Sequence, residues 1–210
     1  MEFLIYLELG ALNLKFKIME FDLTKFTPKI RRLNDMREVL CDRDFAKNAP
    51  DIELYYMYGD LVEDGDLKYS ITVVPQNLLG NEFTKTKGHI HIGEYKETYT
   101  VLEGEAIYLM QKGDENEISD VYAVMAKKGE SIIIPSGYGH VTINAAKETL
   151  KTGDWRNIAC KQDYSLFEKL QGACYYYTTN GWIKNENYKN VPELRFEEAL
   201  KSLPNLDFLR

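Results

Sequence analysis

From Ile52 to Ala146 the chain is written almost entirely in short runs rich in β-branched and aromatic residues. These are LYYMY (54–58), LKYSITVV (67–74), KETYTVLEG (96–104), EAIYLMQK (105–112), VYAVMAKK (121–128), SIIIP (131–135) and HVTINAA (140–146). Glycine, aspartate and asparagine clusters separate them: EDGD (63–66), GDENEISD (113–120), KKGE (127–130) and PSGYG (135–139). No run is long enough for an ordinary helix, and the turn chemistry recurs at close spacing. The pattern predicts an all-β sandwich or barrel. A further strand over 173–179 (ACYYYTT) meets a turn at Asn180-Gly181 and a last strand that starts at Trp182-Ile183.

The flanks read differently. Residues 28–48 predict an extended segment followed by a short helix, with Asn34 or Asp35 as its cap and Met36, Val39 and Leu40 at helical spacing. Residues 147–157 read as a charged connection. Pro192 opens an amphipathic helix over 193–203 (ELRFEEALKSL). No repeat, linker or low-complexity tract interrupts the chain. The expected plan is an N-terminal extension or edge strand over 1–27, one barrel domain over 28–190, and a C-terminal helix over 191–210 packed on the barrel.

A chain of 210 residues buries roughly 70% of its unfolded surface, so it needs no disulfide or structural metal to fold. Cys41, Cys160 and Cys174 are odd in number and scattered, which suits a reducing compartment. The apolar start Met1–Gly10 carries Glu2 and Glu8 and lacks the basic region of a signal peptide. Met1 and Met19 are both possible initiators, and the expected location is cytoplasmic. No segment approaches the roughly 18 to 20 apolar residues of a membrane span. With 26 basic against 33 acidic residues the net charge is −7, which leaves no broad basic face for nucleic acid. An anionic ligand would need a local cationic or amide-lined pocket within this repelling field.

The chain has 3 histidines. His89 and His91 stand at i and i+2 in Gly88-His-Ile-His91, so an extended backbone aims both imidazoles at one point. Glu97 follows at a distance that a short loop can return. His140 starts the strand His140–Asn144. Three imidazoles and one carboxylate suit a divalent iron, manganese, nickel or zinc ion with room for water or substrate.

The framework around these residues resembles the two motifs of the cupin family. The second, G(x5)PxG(x2)H(x3)N, is matched at every position by Gly129, Pro135, Gly137, His140 and Asn144. The first, G(x5)HxH(x3–4)E(x6)G, is matched by His89, His91, Glu97 and Gly104, with a longer gap before Glu97 and Phe83 in place of the leading glycine. Glu94 competes for the acid position, but its spacing to Gly104 is wrong. The resemblance implies a single jelly-roll, or double-stranded β-helix, barrel with short flanking helices.

Further residues are similar to one branch, the cupin-type glucose-6-phosphate isomerases of archaea and some bacteria. They are Thr86-Lys-Gly-His-Ile-His91, Glu97-Thr-Tyr99, Arg31-Arg-Leu-Asn-Asp-Met36, Gly65-Asp-Leu67 leading to Thr72, and Asp163-Tyr164 followed by Gly172. The likeness spans roughly 28–175. It implies one divalent ion per subunit, Fe2+ favoured with Mn2+, Ni2+ or Zn2+ suited, held by His89, His91, Glu97 and His140. It implies sugar-phosphate contacts from Tyr55, Thr72, Thr86, the Gly88 backbone and Tyr164, with Tyr99 beside Glu97 in the barrel. Glu97, the ionisable acid placed at the metal, is the candidate catalytic base for a cis-enediol route, and a hydride shift between C1 and C2, which needs no base, stays open beside it. Alternation points Lys87 away from the ligand into solvent, and Arg31 and Arg32 read as partners of acids at a dimer interface. One departure stands out: Gln162 replaces a histidine of the archaeal members and cannot titrate.

The expected activity is therefore reversible conversion of glucose 6-phosphate and fructose 6-phosphate by a homodimer, without nucleic acid or membrane partners. The apolar stretches Phe3–Leu7 and Leu54–Tyr58 are the expected dimer edges. The same residues also allow a cupin dioxygenase, an isomerase or epimerase of another sugar, or a non-catalytic sugar-binding cupin.

Overall fold

The computed structural model of the chain describes residues 21–210. The strands are β1 (Lys29–Arg32), β2 (Glu53–Asp64), β3 (Leu67–Val74), β4 (Leu78–Leu79), β5 (Glu82–Phe83), β6 (His89–Ile92), β7 (Glu97–Glu103) and β8 (Glu105–Gly113). They continue as β9 (Ile118–Lys127), β10 (Ser131–Ile134), β11 (Gly139–Ile143), β12 (Leu150–Asn157), β13 (Lys161–Asp163), β14 (Tyr175–Thr178), β15 (Gly181–Lys184) and β16 (Arg195–Glu198). Two short helices, α1 (Arg43–Asn48) and α2 (Ser165–Lys169), complete the regular structure together with 3-10 turns.

Two six-stranded sheets carry the fold, in the orders β1-β2-β3-β12-β7-β10 and β13-β6-β11-β8-β9-β16, with a small sheet β15-β14-β5-β4 beside them. From β7 onward the chain passes repeatedly between the two large sheets, which is jelly-roll winding. Their facing sides meet in one core that includes Tyr99, Tyr108, Met110, Val124 and Ile134. A second cluster buries the outer face of the first sheet. Tyr69 and Trp155 pack there at a ring separation of 5.0 Å, under Leu206 and Leu209 from the C-terminal segment. No helix among the described residues is long and apolar enough to cross a membrane.

Four expectations change. Residues 147–157 are not a connection: β12 lies between β3 and β7 in the middle of a sheet. The helix expected over 193–203 is absent. Residues 195–198 instead pair in parallel with β9, and Leu200 exchanges both backbone hydrogen bonds with Ser131 of β10, closing the gap between the two sheets. Edge hydrogen bonds thus outweigh a helix propensity worth only tenths of a kcal/mol per residue. The early helix starts later than expected, capped by Asp42, whose carboxylate accepts from Phe45 N; Asn34 and Asp35 lie inside a 3-10 turn at 33–35, where the Asp35 carboxylate accepts from Arg32 N. Finally, the stretch 54–58 is no bare edge, because β1 and β3 flank β2. The other proposed edge, Phe3–Leu7, lies outside the described residues, as does most of the expected extension over 1–27.

Candidate metal centre and ligand cavity

β6, β7 and β11 bring four side chains to one point on the inner wall. His89 and His91 lie at alternate positions of β6, and His140 on β11 is paired in register with His89. Gly88 makes the approach to β6 possible. It has φ +81°, and a Cβ there would stand 2.7 Å from Val141 and 2.8 Å from Phe167. Glu97 opens β7 and is fully buried, whereas Glu94 is exposed on the loop before it.

His89 Nε2 and His91 Nε2 are 3.3 Å apart, and Glu97 Oε2 lies 3.3 Å from Nε2 of both His91 and His140. One ligand atom from each of the four residues fits within 4.8 Å of all the others. Neighbouring ligands around a first-row ion with bonds of about 2.1 Å stand roughly 3.0 to 3.4 Å apart, so this spacing fits such an ion. The donors also call for one. Both Glu97 oxygens are buried without a hydrogen-bond partner among the described residues, although the carboxylate faces the cluster. His91 Nδ1 donates a long 3.4 Å hydrogen bond to the Tyr95 carbonyl, which turns its Nε2 toward the cluster.

Burial foremost, and then the adjacent His140, hold His89 well below the ordinary imidazole range. Burial likewise lowers His140. Burial also opposes charge on His91, but the Cys160 thiol and the Glu97 carboxylate outweigh it and push this imidazole up to about 10. Glu97 falls well below the carboxylate range because His140 and His91 offset the cost of its burial. Glu97 is thus held as the anion and His89 and His140 as neutral imidazoles, the forms in which these groups ligate a cation. The cluster could hold a divalent metal ion.

A cavity of about 230 Å³ opens from this cluster. His89, His140, Tyr99, Asp154 and Arg156 line its inner end, while Arg31, Tyr55, Thr86, Lys87 and Tyr164 line the part formed by β1, β2 and the segments around β6 and β13. Thr72 and Gly88 also face it. All five residues expected to contact the sugar phosphate are therefore on the cavity wall. The Tyr55 hydroxyl accepts from Lys87 N at 3.1 Å and Arg31 Nε at 3.2 Å, which leaves its own proton free to donate. Thr86 Oγ1 accepts from Thr142 N at 3.0 Å, which leaves its proton free likewise. Tyr99 places its hydroxyl 3.4 Å from His140 Nε2, and burial followed by the Glu97 charge keeps that phenol protonated.

Lys87 does not reach solvent. The turn at Gly88 breaks strand alternation, and Lys87 Nζ, 8% exposed as a residue, pairs with Glu168 Oε1 at 2.6 Å. Arg32 pairs with Asp51 and Glu53 of its own chain, while Arg31 faces the cavity with its guanidinium 5.7 Å from the Tyr164 ring. Gln162 accepts a hydrogen bond from the Tyr164 hydroxyl. Lys29, Arg31, Lys87 and Arg156 give an anion a cationic lining inside an acidic protein.

Sequence reasoning missed Asp154 and Arg156. Arg156 lies opposite Glu97 in the β12–β7 register, with NH1 3.5 Å from Glu97 Oε1 and hydrogen-bonded to Asp154 Oδ2. Burial pushes Asp154 up to about 8, with Arg156 opposing and Glu97 adding to the shift. The available signal was alternation: Thr152, Asp154 and Arg156 share one face, and Trp155 lies on the other.

The chain is thus a jelly-roll barrel with three histidines and one glutamate gathered on its inner wall, a set that could hold a metal ion. The profile of the glucose-6-phosphate isomerase family matches residues 31–193. The chain belongs to that family. Among curated proteins it is 29% identical over 121 residues to glucose-6-phosphate isomerase of Thermococcus litoralis, covering 55% of this chain and 62% of that one. It is 32% identical over 127 residues to the same enzyme of Pyrococcus furiosus, covering 57% and 64% respectively. The match thus spans less than two thirds of these relatives' length. Among solved structures, the oxalate decarboxylase of Lactobacillus farciminis in complex with formate superposes with a TM-score of 0.43 at 13% identity, covering 64% of this chain and 32% of that one.

Proposed function

We propose that the chain is a metal-dependent isomerase that interconverts glucose 6-phosphate and fructose 6-phosphate. The observation that carries this reading is one cavity that reaches the four-residue cluster at His89 and His140, with His91 and Glu97 just behind them, and is otherwise walled by hydroxyls and cations. Membership of the isomerase family supports the choice of substrate. His89, His91, Glu97 and His140 are the residues that would hold one divalent ion per subunit, Fe2+ first, with Mn2+, Ni2+ and Zn2+ also compatible with the donor set. When bound, such an ion supplies Lewis-acid polarisation of a carbonyl and stabilises developing negative charge.

The chain's own groups divide the remaining work. Tyr55, Thr72 and Thr86 offer hydroxyls, and Gly88 its backbone, to the phosphate and sugar oxygens, with the charge of Arg31 and Lys87 behind them, while the Tyr164 oxygen, its proton given to Gln162, accepts from a sugar hydroxyl. This orients the open-chain sugar with C1 and C2 toward the inner end. There the Glu97 carboxylate takes a proton from the carbon beside the carbonyl and returns it to the neighbouring carbon, through a cis-enediol. The Tyr99 hydroxyl, held protonated, donates toward the oxygens exchanging between carbonyl and hydroxyl.

A homodimer and a cytoplasmic location belong to the same reading and rest on the family likeness. Sedimentation at micromolar concentration checks the dimer, and a single species at 24.4 kDa would contradict it. NMR of glucose 6-phosphate incubated with the purified protein in D2O tests the reaction. The expected result is fructose 6-phosphate carrying deuterium at C1. No conversion with metal present would end the isomerase reading, and conversion without deuterium would end the role of Glu97 as base.

A further inference from the structure

Arg156 stands at a junction that the chemistry above does not use. β12 sets it opposite Glu97 and sets Asp154 opposite Tyr99, so backbone register alone brings the guanidinium between two buried carboxylates. Its NH1 is hydrogen-bonded to Asp154 Oδ2 and lies 3.5 Å from Glu97 Oε1. The other oxygen, Glu97 Oε2, is the one that lies 3.3 Å from His91 and His140. The two oxygens of one carboxylate therefore face opposite partners: one an arginine, the other the histidine cluster. Asp154 is 3% exposed, and the Arg156 side chain is 15% exposed.

We propose that Arg156, braced by Asp154, is a positioning residue that fixes which oxygen of Glu97 faces the three histidines. A carboxylate whose second oxygen is engaged by a fixed guanidinium presents a single oxygen to the cluster. Freed of that partner, it rotates or offers both. A planar, always charged fork suits this task, because Asp154 holds one edge and Glu97 meets the same nitrogen. Groups one shell out from a metal ligand set its orientation and donor strength, and their loss typically costs about 10- to 100-fold in affinity or activity. The inference rests on the metal-centre reading given above and does not require the sugar-phosphate assignment.

Removing Arg156 alone leaves the buried Asp154 without its partner, so the informative variants are R156K and the double variant D154N/R156M, which removes the pair together. Each is loaded with Co2+, and its visible d–d absorption is compared with the parent protein; turnover and KM for glucose 6-phosphate are then measured. The expected result is a changed band intensity and position in D154N/R156M, a spectrum nearer the parent in R156K, and a turnover loss of about 10- to 100-fold at little-changed KM. Superimposable Co2+ spectra in parent and double variant, with turnover within about twofold, would overturn the proposal. A parent protein that takes up no Co2+ would overturn it together with the metal-centre reading. A changed spectrum in a protein that never isomerises sugar phosphate would uphold the positioning role and end the isomerase reading alone.

Discussion

Arg31 donates through Nε to the hydroxyl of Tyr55 at 3.2 Å, and these two residues sit opposite each other in the β1–β2 register. The pair puts a half-buried guanidinium and a fully buried phenol on the same stretch of cavity wall. If this stretch binds the phosphate, its energy is spent equally in ground and transition states. Arg31→Met should then raise KM for glucose 6-phosphate about tenfold or more, the loss of one charge-assisted hydrogen bond, with kcat little changed. Steady-state kinetics decide it. A fall in kcat at constant KM would move Arg31 from phosphate anchoring to the reacting carbons.

Glu97 and Glu94 give opposite expectations. Glu97→Gln keeps the shape but removes a charge from the cluster and the proposed base. A turnover loss of at least about a hundredfold is expected, at the low end of what general base catalysis supplies. Glu94 is exposed on the loop, so Glu94→Gln should leave turnover within experimental scatter. The reverse pattern would contradict the register in which Glu97 opens β7.

The Glu82–Lys85 ion pair lies away from the cavity and is structural. Both residues are buried, Lys85 Nζ also donates to the Val39 carbonyl at 2.9 Å, and Glu82 Oε2 accepts from Cys41 N at 2.9 Å. Removing one partner leaves a buried charge unpaired, so Lys85→Met should cost about 3 to 5 kcal/mol in urea unfolding. The double variant E82Q/K85M should recover most of that loss. A K85M protein as stable as the parent would mean that water reaches the pair.

The C-terminal segment should matter for stability although it lies outside the strands that carry the site. Leu206 and Leu209 are each 3% exposed against Tyr69 and Trp155. Leu206→Ala should cost about 2 to 5 kcal/mol in denaturant unfolding. An unchanged midpoint would mean that the segment does not cover the sheet in solution.

The strands with apolar alternation were legible in the chain. β3 runs over the very residues of its apolar run, and β7, β8 and β10 begin or end within a residue or two of theirs. β12 was not legible because its inward face is polar: Asp154 and Arg156 line a cavity, Thr152 is buried against the Tyr108 hydroxyl, and a strand with charges inside reads as surface. The end of the chain misled in the opposite way. Phe196, Ala199, Leu200 and Leu203 have helical spacing, yet residues 195–198 are all exposed, and it is the open edge of β9 that recruits them. Local pattern reports burial, not hydrogen-bond demand from a distant strand. The histidines and Glu97 were legible because turn glycines and a proline fix their spacing, for example Gly137 at φ +77° ahead of His140. Arg156 carries no such spacing signal, since its partner lies 59 positions earlier in the chain and only the β12–β7 register joins them.

Coupled assay of fructose 6-phosphate formed from glucose 6-phosphate, before and after chelation of the purified protein, is the most direct test of a metal-dependent isomerase. Chelation should abolish activity while circular dichroism stays that of a folded β protein, because a core of this size stands without the ion. Addition of Fe2+ or Mn2+ should restore activity. Full activity in exhaustively metal-stripped protein, or none in protein reloaded with each of these ions, would contradict it.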